Sequence, residues 1–154
     1  MPDNLVIKAY IDIDGVLIRN GKSGPKLIPR FSRVIKYLKK NFDCYWLTTH
    51  VKYDTGSAGA VTKLAEYLKE AKINPRILDD IKPTVWRTLK TEAIDFSQPF
   101  IWLDDYLLSA EYSILHERRC LDSLVIVDWR KRSARLTVRH LKKYRKDAFL
   151  RFKN

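Results

Sequence analysis

The sequence predicts a three-layer α/β fold with a five-stranded, mainly parallel sheet. Apolar runs of strand length alternate along the chain with segments whose apolar residues recur at helical spacing. The first run, "NLVIKAYIDI", is almost continuously apolar, as expected for a strand that is covered on both faces. The chain has 154 residues, of which 45% are hydrophobic, enough for one compact core. We therefore expect a single domain over residues 1–154.

Four further strands are predicted after this first one. In chain order they are "FDCYWLTTH", "RIL" at residues 76–78, "PFIWLDD" and "SLVIVDW". The helices alternate with them: one carries Phe31, Val34, Ile35 and Leu38, with Ser32 as a candidate cap, and the next opens at Ser57. Three more are expected over residues 84–95, over "YLLSAEYSILHER" and over residues 137–150. This order of strands and helices is typical of parallel-sheet α/β proteins.

The net charge of +12 is concentrated near the C-terminus. Residues 118–154 hold 13 Lys and Arg against 3 Asp and Glu, whereas residues 1–117 hold 17 against 15. A solvated amphipathic helix is one interpretation of this basic segment, which forms the last strand and helix of the domain. Its density of charge also suits phosphate backbones or an acidic partner, so nucleic acid is a candidate partner. The cations expected to face outward are Arg130, Lys131, Arg132, Arg135, Arg139, Lys142, Lys143, Arg145 and Lys146.

Several classes of protein are disfavoured by composition. No apolar run approaches the roughly 20 residues of a membrane span, and "MPDNLVIKAY" lacks the pattern of a secretory signal. Cys44 and Cys120 lie among apolar neighbours without CxxC spacing, which favours reduced core residues over a disulfide or zinc site. We expect a cytoplasmic protein that does not associate with membranes.

Paired polar residues end three of the predicted strands. The pairs are Asp12 with Asp14, Thr48 with Thr49, and Asp104 with Asp105. In open parallel sheets the carboxyl ends of the strands form the ligand crevice, so the three pairs are expected on one edge. Carboxylates from separate strands make a hard oxygen site suited to Mg²⁺. With Lys90 as a nearby cation, such a site suits phosphoryl transfer, in which positioning and charge neutralisation dominate.

The order of these residues resembles the haloacid dehalogenase superfamily of phosphatases. "YIDIDGVLI" matches the first motif in full, "YWLTT" the second, Lys90 the third, and "FIWLDD" the Asp-Asp form of the fourth. The four motifs extend from residue 5 to about residue 107. The resemblance implies a Rossmann-like fold of the haloacid dehalogenase type.

The resemblance also implies the roles of the acidic residues. Asp12 would be the nucleophile and Asp14 the general acid and base. Mg²⁺ would be bound by the Asp12 carboxylate, the Asp14 backbone carbonyl and Asp104, with Asp105 assisting. The dehalogenase branch lacks the second Asp of the first motif, so Asp14 favours a phosphatase.

The substrate phosphate would be held by the remaining motif residues. Thr48 would hydrogen-bond the transferring phosphoryl group, with Thr49 and Gly15 beside it. Lys90 would offset the charge on Asp12 and the phosphate. Lys82 in "DDIKPTVW" remains an alternative for this lysine. Gly15 permits the backbone turn just beyond the site, where a side chain would crowd the loop.

No large cap domain is expected. Residues 16–42 hold a loop and one predicted helix, and residues 49–90 hold two helices and a short strand. An open site suits a bulky or polymeric substrate. The small size, "WLTTH" and the basic C-terminal segment are also similar to the phosphatase-like domains associated with RNA-repair proteins. His50 is either a substrate contact or a surface imidazole.

Three functions are compatible with these features. The first is a Mg²⁺-dependent phosphohydrolase, a phosphomonoesterase that acts through an aspartyl-phosphate. The second is a polynucleotide end phosphatase acting on RNA or DNA. The third is a catalytically idle module that binds nucleic acid or protein through its basic segment.

Overall fold

The structure, a computed structural model, describes residues 5–154 of the chain. It is an α/β protein with six strands and four α-helices in this range. The elements are β1 (Lys8–Ile11), β2 (Ile18–Gly21), β3 (Gly24–Leu27), α1 (Phe31–Asn41), β4 (Asp43–Trp46), α2 (Ala58–Glu70), β5 (Phe100–Asp104), α3 (Ser109–Glu117), β6 (Leu124–Ile126) and α4 (Val138–Lys153). Short 3-10 helices occupy Pro75–Leu78, Lys90–Ala93, Leu121–Ser123 and Arg132–Ala134.

The main sheet contains four parallel strands in the order β4-β1-β5-β6. Ile11, the last residue of the central strand β1, is in register with Trp46 of β4 and with Leu103 of β5. The carboxyl ends of β1, β4 and β5 therefore lie side by side. β2 and β3 form a separate antiparallel hairpin within the segment that was expected to be a loop before the first helix.

Residues 76–78 were expected to form one of the five strands, the third in chain order. That prediction is wrong. These residues lie in the 3-10 helix Pro75–Leu78, where the Asn74 side chain accepts a hydrogen bond from the Arg76 N–H at 3.0 Å. A capping side chain followed by Pro at the first helical position favours a helical turn over an extended strand. What remains beside β4 is one parallel bridge between Tyr45 and Lys82.

The helix predicted over residues 84–95 is also wrong apart from the short turn Lys90–Ala93. The Glu92 carboxylate accepts hydrogen bonds from the backbone N–H groups of Arg87, Thr88 and Leu89, at 3.1, 3.0 and 2.7 Å. Thr84 donates its hydroxyl to the Trp46 carbonyl at 2.6 Å. These bonds hold residues 84–89 as an irregular segment beside the sheet, a tertiary arrangement that periodicity does not report.

The other predicted helices are present. In α1 the apolar stripe Phe31, Val34, Ile35 and Leu38 is buried, as expected. Ser32 lies inside α1 and does not cap it, because the helix starts after Arg30, which has a left-handed φ of 56°. None of the α-helices within residues 5–154 combines the length and the apolar character needed to cross a membrane.

Both faces of the main sheet are covered. Successive side chains on a strand point to opposite faces: Ala9 and Ile11 of β1 join a large hydrophobic cluster, whereas Tyr10 joins a smaller one. Helices α1, α2 and α4 contribute to the large cluster. The smaller one is covered by Leu115 of α3 and by the irregular segment that carries Trp86. This double burial agrees with the nearly continuous apolar sequence of β1.

Candidate active site

Two buried carboxylates lie next to each other at the carboxyl end of the sheet. Asp12 directly follows β1, and Asp104 is the last residue of the neighbouring strand β5. The Asp12 N–H donates to the Leu103 carbonyl at 3.0 Å, which extends the ladder between the two strands by one residue. Asp12 is 7% exposed and Asp104 is 1% exposed. Carboxylates this deeply buried need compensating charge or hydrogen bonds.

Lys90 supplies the compensating charge. Its Nζ lies 2.6 Å from Asp104 Oδ2 and 3.1 Å from Asp12 Oδ2, and its side chain is 12% exposed. The backbone N–H of Lys90 donates to the buried carboxylate of Glu111 at 2.9 Å. Glu111 also accepts from the Leu108 N–H at 3.1 Å, so it ties the Lys90 segment to the start of α3. The position of Lys90 is thus determined by tertiary contacts.

Backbone and side-chain donors orient the two carboxylates further. Asp12 Oδ1 accepts from the Ile13 N–H at 2.8 Å. Asp104 Oδ1 accepts from the Tyr106 N–H, and its Oδ2 accepts from Trp102 Nε1, both at 3.2 Å. These bonds leave each carboxylate with a defined orientation at the strand end.

The electrostatic environment shifts the pKa values of Asp12, Asp104 and Lys90. Burial, with the charge of Asp104 adding to it, raises the pKa of Asp12 to about 6, against the opposing effect of Lys90. Burial also raises the pKa of Asp104, although Lys90 opposes this shift. For Lys90, burial lowers the pKa, but the two carboxylates outweigh that effect and the pKa lies above its ordinary value.

Asp105 completes a trio of acids that could hold a metal ion. Asp12, Asp104 and Asp105 each offer one carboxylate oxygen, and the three oxygens lie within 4.8 Å of one another. Carboxylate oxygens this close together are hard donors of the kind that bind Mg²⁺, which fills the rest of its coordination with waters and phosphate oxygens. Burial and the charge of Asp12 raise the pKa of Asp105, so the trio concentrates negative charge that a cation would relieve.

Gly15 provides the space that Asp105 occupies. Its φ is +78°, and a Cβ atom at this position would overlap the Asp105 carboxylate. Gly is therefore needed here for both backbone conformation and close approach. Gly15 thus supports the acidic trio, in addition to permitting the turn that the sequence predicted.

Asp14 lies near the acidic trio, where the site opens into a cavity described below, and its carboxylate has different partners. Its side chain is 54% exposed, with Oδ2 at 2.7 Å from His50 Nε2 and Oδ1 at 3.5 Å from Lys63 Nζ. The Asp14 carboxylate is outside the trio, so the assignment of Asp14 to the metal concerns its backbone carbonyl alone. His50 therefore contacts a candidate site residue. Its position two residues after Thr48 was the one sequence signal for this contact.

The two threonines after β4 differ in burial. Thr48 is fully buried, and its hydroxyl accepts a hydrogen bond from the His50 N–H at 3.4 Å. Thr49 is exposed and lines the cavity that contains the acids. Thr49 therefore borders the cavity, whereas Thr48 lies in the buried turn after β4, and the contact of Thr48 with a phosphoryl group stays a prediction.

Lys82, the alternative to Lys90, lies elsewhere. Its Nζ binds Asp43 Oδ1 at 2.8 Å, and Asp43 is the first residue of β4, at the amino end of the parallel sheet. The carboxyl ends, which carry Asp12 and Asp104, form the opposite edge. Lys90 is thus the lysine that the fold brings to the candidate site.

The site opens into a cavity of about 370 Å³. Besides the acids, Thr49 and Lys90, its wall includes residues that the sequence analysis did not select, namely Lys52, Trp86, Thr88, Tyr106, Leu108 and Glu111. The Lys52 Nζ lies 4.5 Å from the centre of the Trp86 ring. Lys52 and Tyr106 follow β4 and β5, so the rule that ligands bind beyond strand ends could have found them. Trp86 has no such signal, because the helix expected over residues 84–95 does not form around it.

Comparisons of the chain with protein-family models, with curated proteins and with solved structures returned no match. The resemblance to the haloacid dehalogenase superfamily is therefore an expectation from the four sequence motifs.

Proposed function

We propose that this chain is a Mg²⁺-dependent phosphohydrolase, a phosphomonoesterase of the haloacid dehalogenase type with a three-layer Rossmann-like fold and no large cap. The observation that carries the proposal is the contact of Lys90 Nζ with both Asp12 and Asp104, beside Asp105. It joins residues from three of the four motifs at one strand edge. A lysine between two buried acids suits a site that receives and releases phosphate charge.

In the proposed first step, Asp12 attacks phosphorus. One carboxylate oxygen forms a bond to phosphorus while the bond to the ester oxygen breaks, which leaves an aspartyl-phosphate on Asp12. Asp14 gives a proton to the departing ester oxygen, so that an alcohol leaves. Lys90 favours the ionised form of Asp12 and offsets the added charge of the phosphoryl group.

In the second step, the aspartyl-phosphate is hydrolysed. Asp14, now ionised, takes a proton from a water molecule, whose oxygen bonds to phosphorus as the bond to Asp12 breaks. Inorganic phosphate leaves, Asp12 is an ionised carboxylate again, and Asp14 is protonated. The exposed position of Asp14 at the cavity mouth suits this exchange of protons with substrate and water.

Mg²⁺ would be held by Asp12, Asp104, Asp105 and the backbone carbonyl of Asp14. When bound, it would neutralise negative charge on the phosphoryl oxygens. The wall residues Thr49 and Lys52 are the additional candidates for contacts with phosphate oxygens, because both line the cavity.

The proposal is tested by hydrolysis of p-nitrophenyl phosphate with Mg²⁺ or with a chelator. We expect metal-dependent turnover by the native chain and none by Asp12→Asn, which lacks the nucleophilic oxygen pair. Asp122→Asn makes the same chemical change at an exposed position outside the site and should keep full activity. Full activity of Asp12→Asn would refute the mechanism, and binding of phosphoesters without turnover would favour an idle module.

A further inference from the structure

A second cavity, which we call the basic groove, lies between β2 and the starts of α1 and α4. Its volume is about 440 Å³. None of the residues that line it within the described range 5–154 is acidic, and half of them are cationic. The cationic residues are Arg19, Arg30, Arg33, Arg135, Arg139 and Lys142. Such a concentration of one sign of charge attracts anions.

Some of the groove's side chains have buried N–H donors that no acceptor in the described part of the chain satisfies. Arg19 Nε, Arg135 Nε and Trp129 Nε1 are buried and have no acceptor among residues 5–154. The Arg19 guanidinium lies 5.7 Å from the centre of the Trp129 ring. Buried donors without acceptors are costly, and a ligand that brings anionic oxygens would satisfy them. Arginine is well suited to phosphate because its planar fork presents several N–H groups at once.

The rest of the groove is apolar. Pro29, Val34, Leu136 and Val138 line it together with Trp129. A peptide of acidic residues alone offers carboxylates to the arginines but no flat apolar group for this wall. A nucleotide has phosphate for the arginines and a flat base for the apolar and aromatic surface, and base stacking on aromatic side chains is a common feature of single-strand binding.

The groove is connected to the candidate active site through two short links. Arg19 follows Ile18, whose carbonyl accepts from the Gly15 N–H at 2.8 Å. Trp129 lies two residues beyond Val127, whose N–H donates to the Asp104 carbonyl at 2.8 Å. Both links connect a groove residue, through a few residues of chain, to the edge of the sheet that carries the acidic trio.

We propose that the basic groove binds single-stranded nucleic acid, with backbone phosphates on its arginines and a base against Trp129, and that it presents a phosphorylated strand end to the acidic cavity. The presentation of the end rests on the proposed phosphohydrolase function, whereas the binding does not. The groove uses Arg135, Arg139 and Lys142 of the basic C-terminal segment, while Arg130 pairs with Asp128 and does not line it.

Two matched double variants on α4 test the binding. Arg139→Glu with Lys142→Glu changes two exposed residues of the groove, and Lys143→Glu with Lys146→Glu makes the same charge change on the same helix outside it. Binding of a fluorescent oligouridine is measured by anisotropy with divalent metal chelated. We expect at least tenfold weaker binding for the groove variant and less than threefold for its control. The slope of log affinity against log salt should fall by about 1.4 for two lost phosphate contacts.

Equal losses of oligouridine affinity in the two variants would overturn the proposal that the groove is the binding site, because they would mean that only the overall charge matters. Displacement of the oligouridine by poly-glutamate as effectively as by unlabelled strand would assign the groove to acidic proteins and likewise overturn the proposal.

Hydrolysis separates this proposal from the phosphohydrolase function. With Mg²⁺, the groove variant should release the end phosphate of an oligonucleotide at least tenfold more slowly than the native chain, and hydrolyse p-nitrophenyl phosphate at an unchanged rate. Groove-dependent binding without hydrolysis of either substrate would overturn the phosphohydrolase function and the presentation of ends, and would support the binding site. Hydrolysis of the small ester without groove-dependent binding would do the reverse.

Discussion

Lys90 and Asp104 form a buried ion pair in which Nζ lies 2.6 Å from Oδ2, with the two side chains 12% and 2% exposed. Because Asp12 approaches the same ammonium group, the site combines two buried carboxylates with one cation. The pair thus stabilises charges that the fold would otherwise have to bury without compensation.

Removing the charge of Lys90 should therefore destabilise the protein strongly. Lys90→Met keeps much of the side-chain volume but leaves two buried carboxylates together, and we expect a loss of about 3 to 5 kcal/mol at neutral pH without metal. Lys82→Met is the control, because it breaks the more exposed pair with Asp43 and should cost less than about 1 kcal/mol. Urea unfolding measures both values, and similar losses would show that Lys90 has no special structural role.

The stability of the metal-free protein should depend on the protonation of Asp12. Its pKa is about 6 in the folded state and 3.8 as the unperturbed value, so the folded state binds more protons than the unfolded state between these values. Stability should therefore fall as pH rises from about 4 to 6, by up to about 3 kcal/mol for this group. Asp12→Asn should remove that part of the dependence. Parallel pH profiles for the variant and the native chain would contradict the assignment.

Mg²⁺ binding should strengthen as pH rises, whereas the stability of the metal-free protein should fall. Mg²⁺ requires ionised carboxylates, so its stabilising effect should be larger at pH 7.5 than at pH 5. Asp105→Asn removes one oxygen of the trio and should reduce the shift in melting temperature on adding Mg²⁺. Asp54→Asn, an exposed substitution outside the trio, should leave it unchanged. Equal Mg²⁺-induced shifts in all three proteins would exclude Asp105 as a ligand.

Alanine substitutions at Gly15 and Gly56 separate the cost of backbone strain from the cost of steric overlap with Asp105. Both have positive φ, +78° and +74°, but a Cβ on Gly15 would overlap Asp105, whereas one on Gly56 would meet nothing within 4 Å. We expect Gly56→Ala to cost about 1 to 2 kcal/mol from backbone strain alone. Gly15→Ala should cost more and also weaken Mg²⁺ binding. Adding Asp105→Ala to Gly15→Ala should recover part of the stability in a double-mutant cycle, and strictly additive losses would argue against the overlap.

The sequence predicted the acidic part of the site because it depends on local order. Asp12 directly follows β1 and Asp104 ends β5, two strands with clear apolar runs, and parallel pairing brings their ends together. Lys90 was selected although the helix expected around it is a short turn. Its position depends on Glu111, a contact across 21 residues of chain that no local pattern reports.

Other features were not predicted, because they depend on side-chain hydrogen bonds or on contacts between distant parts of the chain, which apolar periodicity does not report. The proline and the Asn74 cap turned the expected third strand into a 3-10 helix, and Glu92 drew three backbone N–H groups away from a helix. The basic groove joins Arg19 to residues more than 100 positions later in the chain. Charge counting indicated a basic segment but not which of its cations face one cavity.

The most direct test of the central claim is to trap the phosphoryl group on the protein. Asp14→Asn should slow hydrolysis of the intermediate more than its formation when the leaving group needs no proton, as with p-nitrophenyl phosphate. Mass spectrometry after acid quenching should then find one phosphoryl group on the peptide that contains Asp12, and none when Asp12→Asn is added. Metal-dependent turnover with no label on Asp12, or with the label on another residue, would contradict the account.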